Sequence, residues 1–496
     1  MLTISRQLAK QIRSVFRRAL QISASQTNQV VWLAGDDSGL RLRTQNWRAT
    51  AEYHLPGSPG TATSEFIPVT MEALAACEGT KSDEPVSVER LTDETVLLRW
   101  DDRSIPQTFQ FDAKKLRHDP RPVLPEAWAS NPPRLLTALS DTMKIAPPDA
   151  TRFAINCVQL RPDGGRLAAT DTHQLLIESG FAFPGNSDVL IPRTTLFGSR
   201  ELPGDQSIDV GFTANHGVFR VGSWTFWLTL EKQGRYPGVE NIIPAADSAK
   251  TRLHLSVEDL SYLLEVVPRL PTEADQEGRV TLDLNGRVVL LAKGDGPAPV
   301  TQVVLRNSHR SGDEVRLNTD RRFLVHAAQL GFREIELRDP ESPIVCRDER
   351  RVYLWSGLVD GPALEAGPDT VQFESPLATT TSPRPARAVP PPRRARTTPE
   401  RNSTPMPRNR IAETLAASAP PPANGSASPP PNHNGDHDHR GSFNAILQQA
   451  ETAKTSLHDA FSQINLLIGL LKRHRRQSKL MQTTLASLKQ LQTLDV

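Results

Sequence analysis

The sequence predicts an α+β protein built from three similar units in tandem, and two observations support this class. A strand-like segment that ends in a helix-starting residue occurs three times, as EFIP at residues 65–68, VLIP at 189–192 and VRLN at 315–318. The copies end 124 and then 126 positions apart, a constancy that chance rarely produces. In addition, a helical pattern and alternating strands precede each copy. Such units form antiparallel sheets with helices packed on one face.

The elements of each unit follow in the same order. A helix candidate comes first and a hairpin follows, with turns at residues 35–37, 163–165 and 285–286; the last is Asn-Gly, a strong hairpin signal. Next, Pro68, Pro192 and Asn318 are expected to begin a short helix, since Pro suits the first helical turn and Asn caps helices. A second strand set opens at residues 86–88, 208–210 and 335–337 and finishes at 109–111, 226–230 and 352–355.

Units of this kind leave free edge strands. Sheets can therefore continue across unit boundaries, and a head-to-tail arrangement that closes gives a ring. We expect domains at residues 1–125, 126–247 and 248–365, followed by two different segments at 366–440 and 441–496.

Composition limits the classes of protein. Hydrophobic residues make up 38% of the 496 residues, and charged residues interrupt every apolar run before it reaches the roughly 18 residues that a membrane helix needs. We therefore expect a soluble, cytoplasmic protein without a membrane partner. Cys77, Cys157 and Cys346 lie far apart and form no CxxC pair, so neither a zinc site nor a redox motif is indicated.

Charge is distributed unevenly along the chain. Residues 366–496 contain 16 Lys or Arg and 9 Asp or Glu, a net charge of +7, which leaves −5 on residues 1–365 because the whole chain carries +2. An acidic body repels nucleic acid unless its basic residues gather on one surface. The position of those residues therefore decides whether nucleic acid is a partner.

Residues 166–175 (RLAATDTHQL) resemble the ATDGHRLA signature in the middle domain of bacterial DNA polymerase III beta subunits, the beta sliding clamps. Three further segments agree, in the right order and spacing: DVLIPR at 188–193, GRYP at 234–237 with IIP at 242–244, and LN at 317–318 followed by Phe323 and Leu324. The resemblance covers residues 2–359. Two departures are Gln174, where the family has Arg, and YLWSGLV at 353–359, where the family chain ends.

The resemblance implies three tandem DNA-clamp domains, with helices inside a ring and antiparallel sheets outside. It also implies a homodimer that encircles double-stranded DNA without catalysis. Such a ring is placed by a clamp loader and tethers a replicative or repair DNA polymerase. Because of the departures, a clamp-like scaffold paralogue that recruits partners through its C-terminal tail is the main alternative.

The expected DNA contacts are basic helix residues. In the first helix, Arg6, Lys10, Arg13 and Arg17 follow at spacings of four, three and four, on a face opposite Leu8, Ile12, Val15 and Ala19. Sequence-independent phosphate contacts of this type permit sliding. A solvated helix face and an N-terminal targeting helix are the alternatives for this stripe. The full set of expected DNA-binding residues is Arg6, Lys10, Arg13, Arg17, Arg18, Arg134, Arg321 and Arg322; in the third unit, Glu258, Asp259 and Glu265 make the first helix acidic.

The resemblance also implies a groove that accepts short peptide motifs from polymerases and other clients. An apolar pocket of this kind rewards burial of a hydrophobic anchor. The alternative is ordinary packing between domains. The expected partner-binding residues are Ile155, Thr170, His173, Gln174, Leu175, Pro237, Ile242, Leu354 and Trp355.

A nucleic-acid hydrolase using Asp171 and His173 is a further alternative from a different class. It lacks support in the sequence, because no third ligand, nucleophile elbow or GxxxxGK[ST] loop accompanies the two residues. We expect no catalytic residue, no metal and no cofactor.

The last two segments differ from the rest. Residues 366–440 are rich in Pro, Ser, Thr, Ala and Arg, which predicts a disordered tether. In residues 441–496, Leu457, Ile464, Leu471 and Leu485 share one heptad position, which predicts a coiled coil, a helical hairpin or a helix that docks on a helical partner.

Overall fold

The computed structural model describes residues 1–57, 63–80, 84–113, 120–149, 154–273, 278–359 and 361–378. All of them lie in one compact unit, Met1–Ala388. The coiled coil expected at 441–496 and the linker beyond residue 378 fall outside this part of the chain. Within it, no helix is long and apolar enough to cross a membrane.

The described chain repeats one order of elements three times: strand, helix, four strands, short helix, three strands. The first repeat comprises β1 (Leu2–Ser5), α1 (Arg6–Leu20), β2 (Val30–Asp36), β3 (Gly39–Gln45), β4 (Ala49–Pro56), β5 (Thr63–Thr70), α2 (Met71–Cys77), β6 (Pro85–Thr92), β7 (Thr95–Asp102) and β8 (Ile105–Asp112). The second comprises β9 (Trp128–Asn131), α3 (Arg134–Ile145), β10 (Cys157–Arg161), β11 (Arg166–Thr170), β12 (Gln174–Ser179), β13 (Val189–Pro192), a 3-10 turn (Leu196–Gly198), β14 (Ile208–Phe212), β15 (His216–Val221) and β16 (Trp224–Thr229).

The third repeat has one additional strand. It comprises β17 (Thr251–His254), α4 (Val257–Val266), β18 (Arg279–Asp283), β19 (Val288–Ala292), β20 (Thr301–Leu305), the additional β21 (His309–Gly312), β22 (Arg316–Asp320), α5 (Arg321–Gln329), β23 (Glu334–Leu337), β24 (Ile344–Arg347) and β25 (Arg351–Trp355). A last strand, β26 (Val371–Glu374), follows the repeat.

Each repeat contributes to two sheets, and the sheets continue from one repeat to the next. The strand orders are β1-β6-β7-β8, β5-β2-β3-β4-β16-β15-β14-β9, β13-β10-β11-β12-β25-β24-β23-β17-β21 and β22-β18-β19-β20-β26. Repeats one and two meet where β4 pairs antiparallel with β16, which we call the first junction. Repeats two and three meet where β12 pairs antiparallel with β25, the second junction.

Helix α1 shows why the repeats fold as the sequence pattern predicts. Ser5 caps its start by accepting a hydrogen bond from the Leu8 amide (3.1 Å), and Gln21 ends it in the left-handed conformation. Ile12 and Val15, on the apolar face, are fully buried against the sheets. The helix therefore covers a sheet with one face and leaves its basic stripe on the other.

The three hairpin turns are confirmed, but the predicted helix starts are wrong. Pro68 and Asn318 lie inside β5 and β22, and the helices begin three residues later, after the caps Thr70 and Asp320. Pro192 ends β13, and only a single 3-10 turn follows it. The repeated segment therefore marks the end of a strand rather than the first turn of a helix.

The expected linker also begins later than the sequence suggests. Residues 371–374, inside the segment predicted to be disordered from residue 366, form β26 and pair with β20. The nearby Ser375 is 1% exposed. The chain is thus held to the third repeat at least to residue 378.

Candidate functional site

The basic stripe of α1 divides into paired and exposed cations. Arg6 is 9% exposed and donates hydrogen bonds to Glu84 (2.9 Å) and Asp102 (3.1 Å). Arg13 donates two hydrogen bonds to Glu78, at 2.6 and 2.7 Å. Bidentate pairs of this kind fix a side chain. Arg6 and Arg13 therefore hold α1 to its own repeat, which differs from the DNA contact expected of them.

The exposed cations of α1 are Lys10 and Arg18, while Arg17 is half-buried. Lys10 forms no ion pair within the described part of the chain. Cations without protein partners keep their full attraction for phosphate. Lys10 and the half-buried Arg17 are therefore the part of the stripe that can act on an external anion, and the exposed Arg18 lies beside the stripe.

The end of α1 meets the second repeat. Gln21 donates a hydrogen bond to the carbonyl oxygen of Arg193 (2.7 Å), and Arg18 Nη1 lies 3.5 Å from that of Thr195. Arg193 in turn donates from Nε to the carbonyl of Met143 (3.1 Å), near the end of α3. Arg193 therefore lies beside the α1 cations, a neighbourhood that sequence reasoning missed because the contact spans more than 170 residues.

The other expected DNA-binding cations are engaged in local contacts. Arg134 donates hydrogen bonds to the carbonyls of Ser179 (3.1 Å) and Gly180 (2.5 Å). Arg321 donates to the carbonyl of Leu270, and Arg322 pairs with Asp320 at 2.5 Å. The Arg322 side chain nevertheless remains 70% exposed.

Acidic helix α4 is less acidic on its surface than the sequence suggests. Asp259 is completely buried and accepts hydrogen bonds from Asn307 (2.9 Å) and Ser308 (2.6 Å). Glu265 lies 3.3 Å from Arg269. Glu258 is exposed. The two described helices of the third repeat, α4 and α5, nevertheless present no exposed basic stripe comparable with that of α1.

The expected client groove is a packed cluster at the second junction. Leu175 and Leu354 are paired strand residues, 0% and 4% exposed, and they pack with Val239 from the segment between repeats two and three. Tyr236 packs against the same cluster and donates a hydrogen bond to the carbonyl of Ala168 (3.2 Å). The apolar residues expected to receive a hydrophobic anchor are therefore packed against one another.

The remaining groove residues divide by exposure. Ile155 (3%), Thr170 (5%) and Trp355 (1%) are buried, and Trp355 belongs to the core of the third repeat, where its indole donates to Thr319 (2.8 Å). His173 and Ile242 are exposed, and Pro237 is half-buried. The structure thus brings Leu175, Leu354 and the 236–243 segment together and places Trp355 in a different cluster.

Gln174 has a structural role at this junction. Its side-chain nitrogen donates to Asp171 (2.8 Å), and its side-chain oxygen accepts from the Tyr353 hydroxyl (2.7 Å). The residue therefore links the loop before β12 to β25. An Arg at this position has no acceptor for the Tyr353 hydroxyl.

The proposed acid–base pair of a hydrolase is not assembled. Asp171 accepts hydrogen bonds from the amides of His173 and Gln174 (both 2.9 Å), which makes it the anchor of a tight turn. Thr172 in that turn has φ 82°. Within the described residues, no group of three His, Cys, Asp or Glu is placed to hold a metal ion.

A charged cleft lies at the second junction. It is lined by Arg134, Asp141, Glu178, Asp348, Arg350 and Arg351, among others. Burial, then the nearby Asp141, raises the pKa of Glu178 to about 7. One of its carboxylate oxygens has no hydrogen-bond partner. This side chain is therefore a buried acid whose charge is poorly compensated.

No protein-family model matches the chain, and no curated protein matches its sequence. Solved structures do match it. A sliding clamp (DNA polymerase III subunit beta) from Pseudomonas aeruginosa bound to griselimycin is 16% identical with a TM-score of 0.60, and the match covers 72% of this chain and 98% of that one.

Two streptococcal structures give the same result. The beta subunit from DNA polymerase of Streptococcus pyogenes is 16% identical with a TM-score of 0.60, over 72% of this chain and 99% of that one. The DNA polymerase III beta chain of Streptococcus pneumoniae TIGR4 is 18% identical with a TM-score of 0.59, over 72% and 100%. The α+β sliding-clamp fold indicated by the sequence motifs is thereby confirmed.

Proposed function

We propose that this chain is a non-catalytic DNA sliding clamp, two copies of which enclose duplex DNA and tether a DNA polymerase to it. The arrangement of strand edges carries the proposal. Each junction joins the third of the four strands between a repeat's two helices to the last strand of the following repeat. The two edges of these types that no repeat of the described chain completes are those of β8 and β20, and β20 is covered there by β26. A head-to-tail pairing of such edges closes a ring.

Charge supports the same function. Lys10, Arg17 and Arg18 lie on the helix that covers the first repeat, and no acidic residue interrupts the stripe. Attraction to phosphates through a few exposed cations is sequence-independent and weak enough for movement along DNA. The uneven distribution of cations implies that the first repeat supplies most of this attraction.

Topology tests the proposal. The full chain is loaded with a clamp loader on nicked circular DNA, and retention is measured by gel filtration before and after the circle is cut. A clamp stays on the circle and runs off the linear product. Equal loss from both forms would contradict the encircling function, because attraction without enclosure does not depend on DNA ends.

A matched pair of charge variants tests the DNA-facing surface. Lys10→Gln with Arg18→Gln is expected to reduce the slope of log affinity against log salt by about 2, since each phosphate contact contributes about 0.9. Arg13→Gln should leave the slope unchanged, because Arg13 is paired with Glu78. Fluorescence anisotropy with duplex DNA at several salt concentrations gives both slopes. An equal change in the two proteins would contradict the assignment.

A second function has one observation in its favour. Because Leu175, Leu354 and Val239 fill the position of the client pocket, a clamp-like scaffold that recruits partners through its tail remains the alternative. A peptide carrying a clamp-binding motif distinguishes the two functions. Binding that is lost in Leu175→Asp supports a client-binding clamp, whereas no binding by the full chain supports the scaffold.

A further inference from the structure

The chain continues past the third repeat along the sheet β22-β18-β19-β20. We call residues 357–359 and 361–378 the strap. At its start, the Leu358 amide donates to the carbonyl of Asn318 (2.9 Å), and Asn318 Nδ2 donates to the carbonyl of Gly361 (3.1 Å). The Leu364 amide then donates to Thr281 Oγ1 (2.9 Å). Leu364 packs against the apolar cluster around Val289, which also includes Leu291 and Val304.

The strap ends in β26, which covers the edge of β20. The two strands run parallel, with Thr301 to Val304 opposite Val371 to Glu374. The Val371 amide donates to Val300 and the Ser375 amide to Val304, both at 2.9 Å. In a parallel strand, the backbone groups of every second residue bond to the same neighbouring strand. The backbone amide of Phe373 therefore also points toward β20, while that of Gln372 points away.

Side chains fasten the end of the strap. Ser375 Oγ accepts a hydrogen bond from the Arg306 amide (2.9 Å), and Glu374 lies 3.3 Å from the Arg306 guanidinium. Asn307 donates to the carbonyl of Pro376 (2.8 Å) and accepts from the Ala378 amide (2.9 Å). The buried Asp259 holds Asn307 in place with two hydrogen bonds of 2.9 Å. These contacts fix one register of β26 on β20.

The edge covered by β26 is equivalent to the edges used at both junctions. In the order of elements, β20 corresponds to β4 and β12, and those strands pair antiparallel with β16 and β25. By the same repeat, the strand that completes β20 is of the β8 type. No strand pairs with the outer edge of β8 in the described chain. The partner that fits β20 is therefore β8 of a second copy of this chain.

The outer edge of β8 carries free backbone groups. The Ala113 amide donates to the Glu94 carbonyl (2.7 Å), and pairs in an antiparallel ladder alternate between bonded and open. Counting from the bonded pair of Ala113 and Glu94, Thr108 opposite Arg99 belongs to an open pair. The backbone groups of Thr108 and Gln110 therefore point away from β7. Pro106 lies at another outward position, where its missing N–H costs no bond to β7.

β26 is held to β20 mostly by backbone hydrogen bonds. All four of its residues are exposed, with Val371 44% and Phe373 50% exposed. The strands that pair at the junctions, by contrast, carry buried aromatic residues, Trp227 in β16 and Trp355 in β25. A strand held without side-chain burial is released more easily than one that carries buried aromatic residues.

We propose that the strap is a built-in cap on the ring-closing edge: β26 occupies β20 in the isolated chain and must leave before β8 of a second copy can pair there. The inference rests on the ring of the proposed function. It adds a regulatory step, because strap release sets the concentration at which the ring closes. Any factor that binds residues 371–378 promotes closure.

Two proline variants of the full chain test the cap. Phe373→Pro removes an amide that faces β20 and frees the edge, whereas Gln372→Pro removes an amide that faces away and leaves the pairing intact. Hydrogen exchange of residues 105–112, followed by mass spectrometry over a range of protein concentrations, reports occupation of β8. In Phe373→Pro, protection of β8 should appear at a concentration at least tenfold lower than in the wild-type chain or in Gln372→Pro.

Three outcomes bear on the proposal. Adding Thr108→Pro to Phe373→Pro should abolish the protection, which supports β8 as the partner strand. Equal midpoints for Phe373→Pro and the wild-type chain would overturn the cap, as would protection lost only in Gln372→Pro, since a partner would then pair with β26 itself. Failure of the clamp function gives a different result: β8 becomes protected in Phe373→Pro, yet the protein leaves circular and linear DNA equally fast.

Discussion

The two junctions inside the chain and the covered edge of β20 use equivalent strand edges, but the junction pairs are antiparallel, the β20–β26 pair is parallel, and the side chains differ. At the first junction, Trp224 packs on Tyr53 at 4.6 Å between ring centres and stacks on Phe226 at 5.9 Å. At the second, Tyr353 and Trp355 lie 5.3 Å apart in the core. The covered edge of β20 has only the exposed β26. Permanent contacts are thus built from buried aromatic residues, and the exchangeable one from backbone hydrogen bonds and a few polar side-chain contacts near Ser375.

The junctions also differ from each other in how they bury an acid. Glu52 at the first junction pairs with Arg121 (2.7 Å) and lies 3.6 Å from Arg41. Glu178 at the second junction is as well buried but has an oxygen without a hydrogen-bond partner. The charge of Glu52 is therefore balanced by two nearby Arg side chains. The charge of Glu178 is balanced less well, so the stability of the second junction depends on pH.

The largest expected effect concerns Trp355 in β25, the strand that the third repeat contributes to the second junction. Trp355→Ala should lower the free energy of unfolding by roughly 3–5 kcal/mol, the usual loss for a buried Trp or Phe reduced to Ala. It also leaves Thr319 without the indole donor. Urea unfolding followed by circular dichroism measures the change.

Phe373→Ala in β26 is the matched control for Trp355→Ala. Because Phe373 is half exposed, its loss should change the stability by no more than about 0.5 kcal/mol. Similar losses of unfolding free energy in Trp355→Ala and Phe373→Ala would contradict the difference between the permanent edges and the exchangeable edge.

A smaller effect is expected from Glu178, through pH. Burial raises its pKa from 4.5 to about 7, so the folded chain binds this proton more tightly than the unfolded chain does. Protonation therefore stabilises the fold below pH 4.5, and this stabilisation is lost as the pH rises to about 7. Glu178→Gln should be more stable than the wild-type chain at pH 8 by roughly 2–4 kcal/mol.

The pH dependence of the stability difference separates the effect of Glu178 ionisation from a stabilisation that does not involve charge. The two proteins should have nearly equal stability at pH 4 and diverge through the interval between the two pKa values. Thermal unfolding at a series of pH values measures the difference. A constant difference at all pH values would mean that Glu178 is charged throughout and that the second junction compensates it as well as the first compensates Glu52.

Much of the fold was predictable because its signals are local. The Asn285-Gly286 turn, the alternating strands and the apolar face of α1 depend on residues within a few positions of one another. The helix starts predicted at Pro68 and Asn318 are wrong because Thr70 and Asp320, two residues later, cap the helices. Local composition cannot distinguish a strand end from a helix start when both residue types fit.

The rest depends on distant contacts. Residues 371–374 pair with β20, an edge about 70 positions earlier, whereas the Pro-, Ser-, Thr-, Ala- and Arg-rich composition of residues 366–440 as a whole predicts a tether. The pairing of Arg13 with Glu78 spans 65 positions, so the spacing of the basic stripe could not show which cations are free. The packing of the expected groove likewise depends on Val239 joining Leu175 in one apolar cluster.

The measurement that tests the central claim most directly compares two variants of the full chain on DNA. Phe373→Pro, with its closing edge free, and Phe373→Pro combined with Thr108→Pro are each loaded on nicked circular DNA, which is then cut. We predict that the first stays on the circle and is lost from the linear product, while the second is retained on neither. Equal retention of both variants on the circle would contradict a ring closed by β8 and β20.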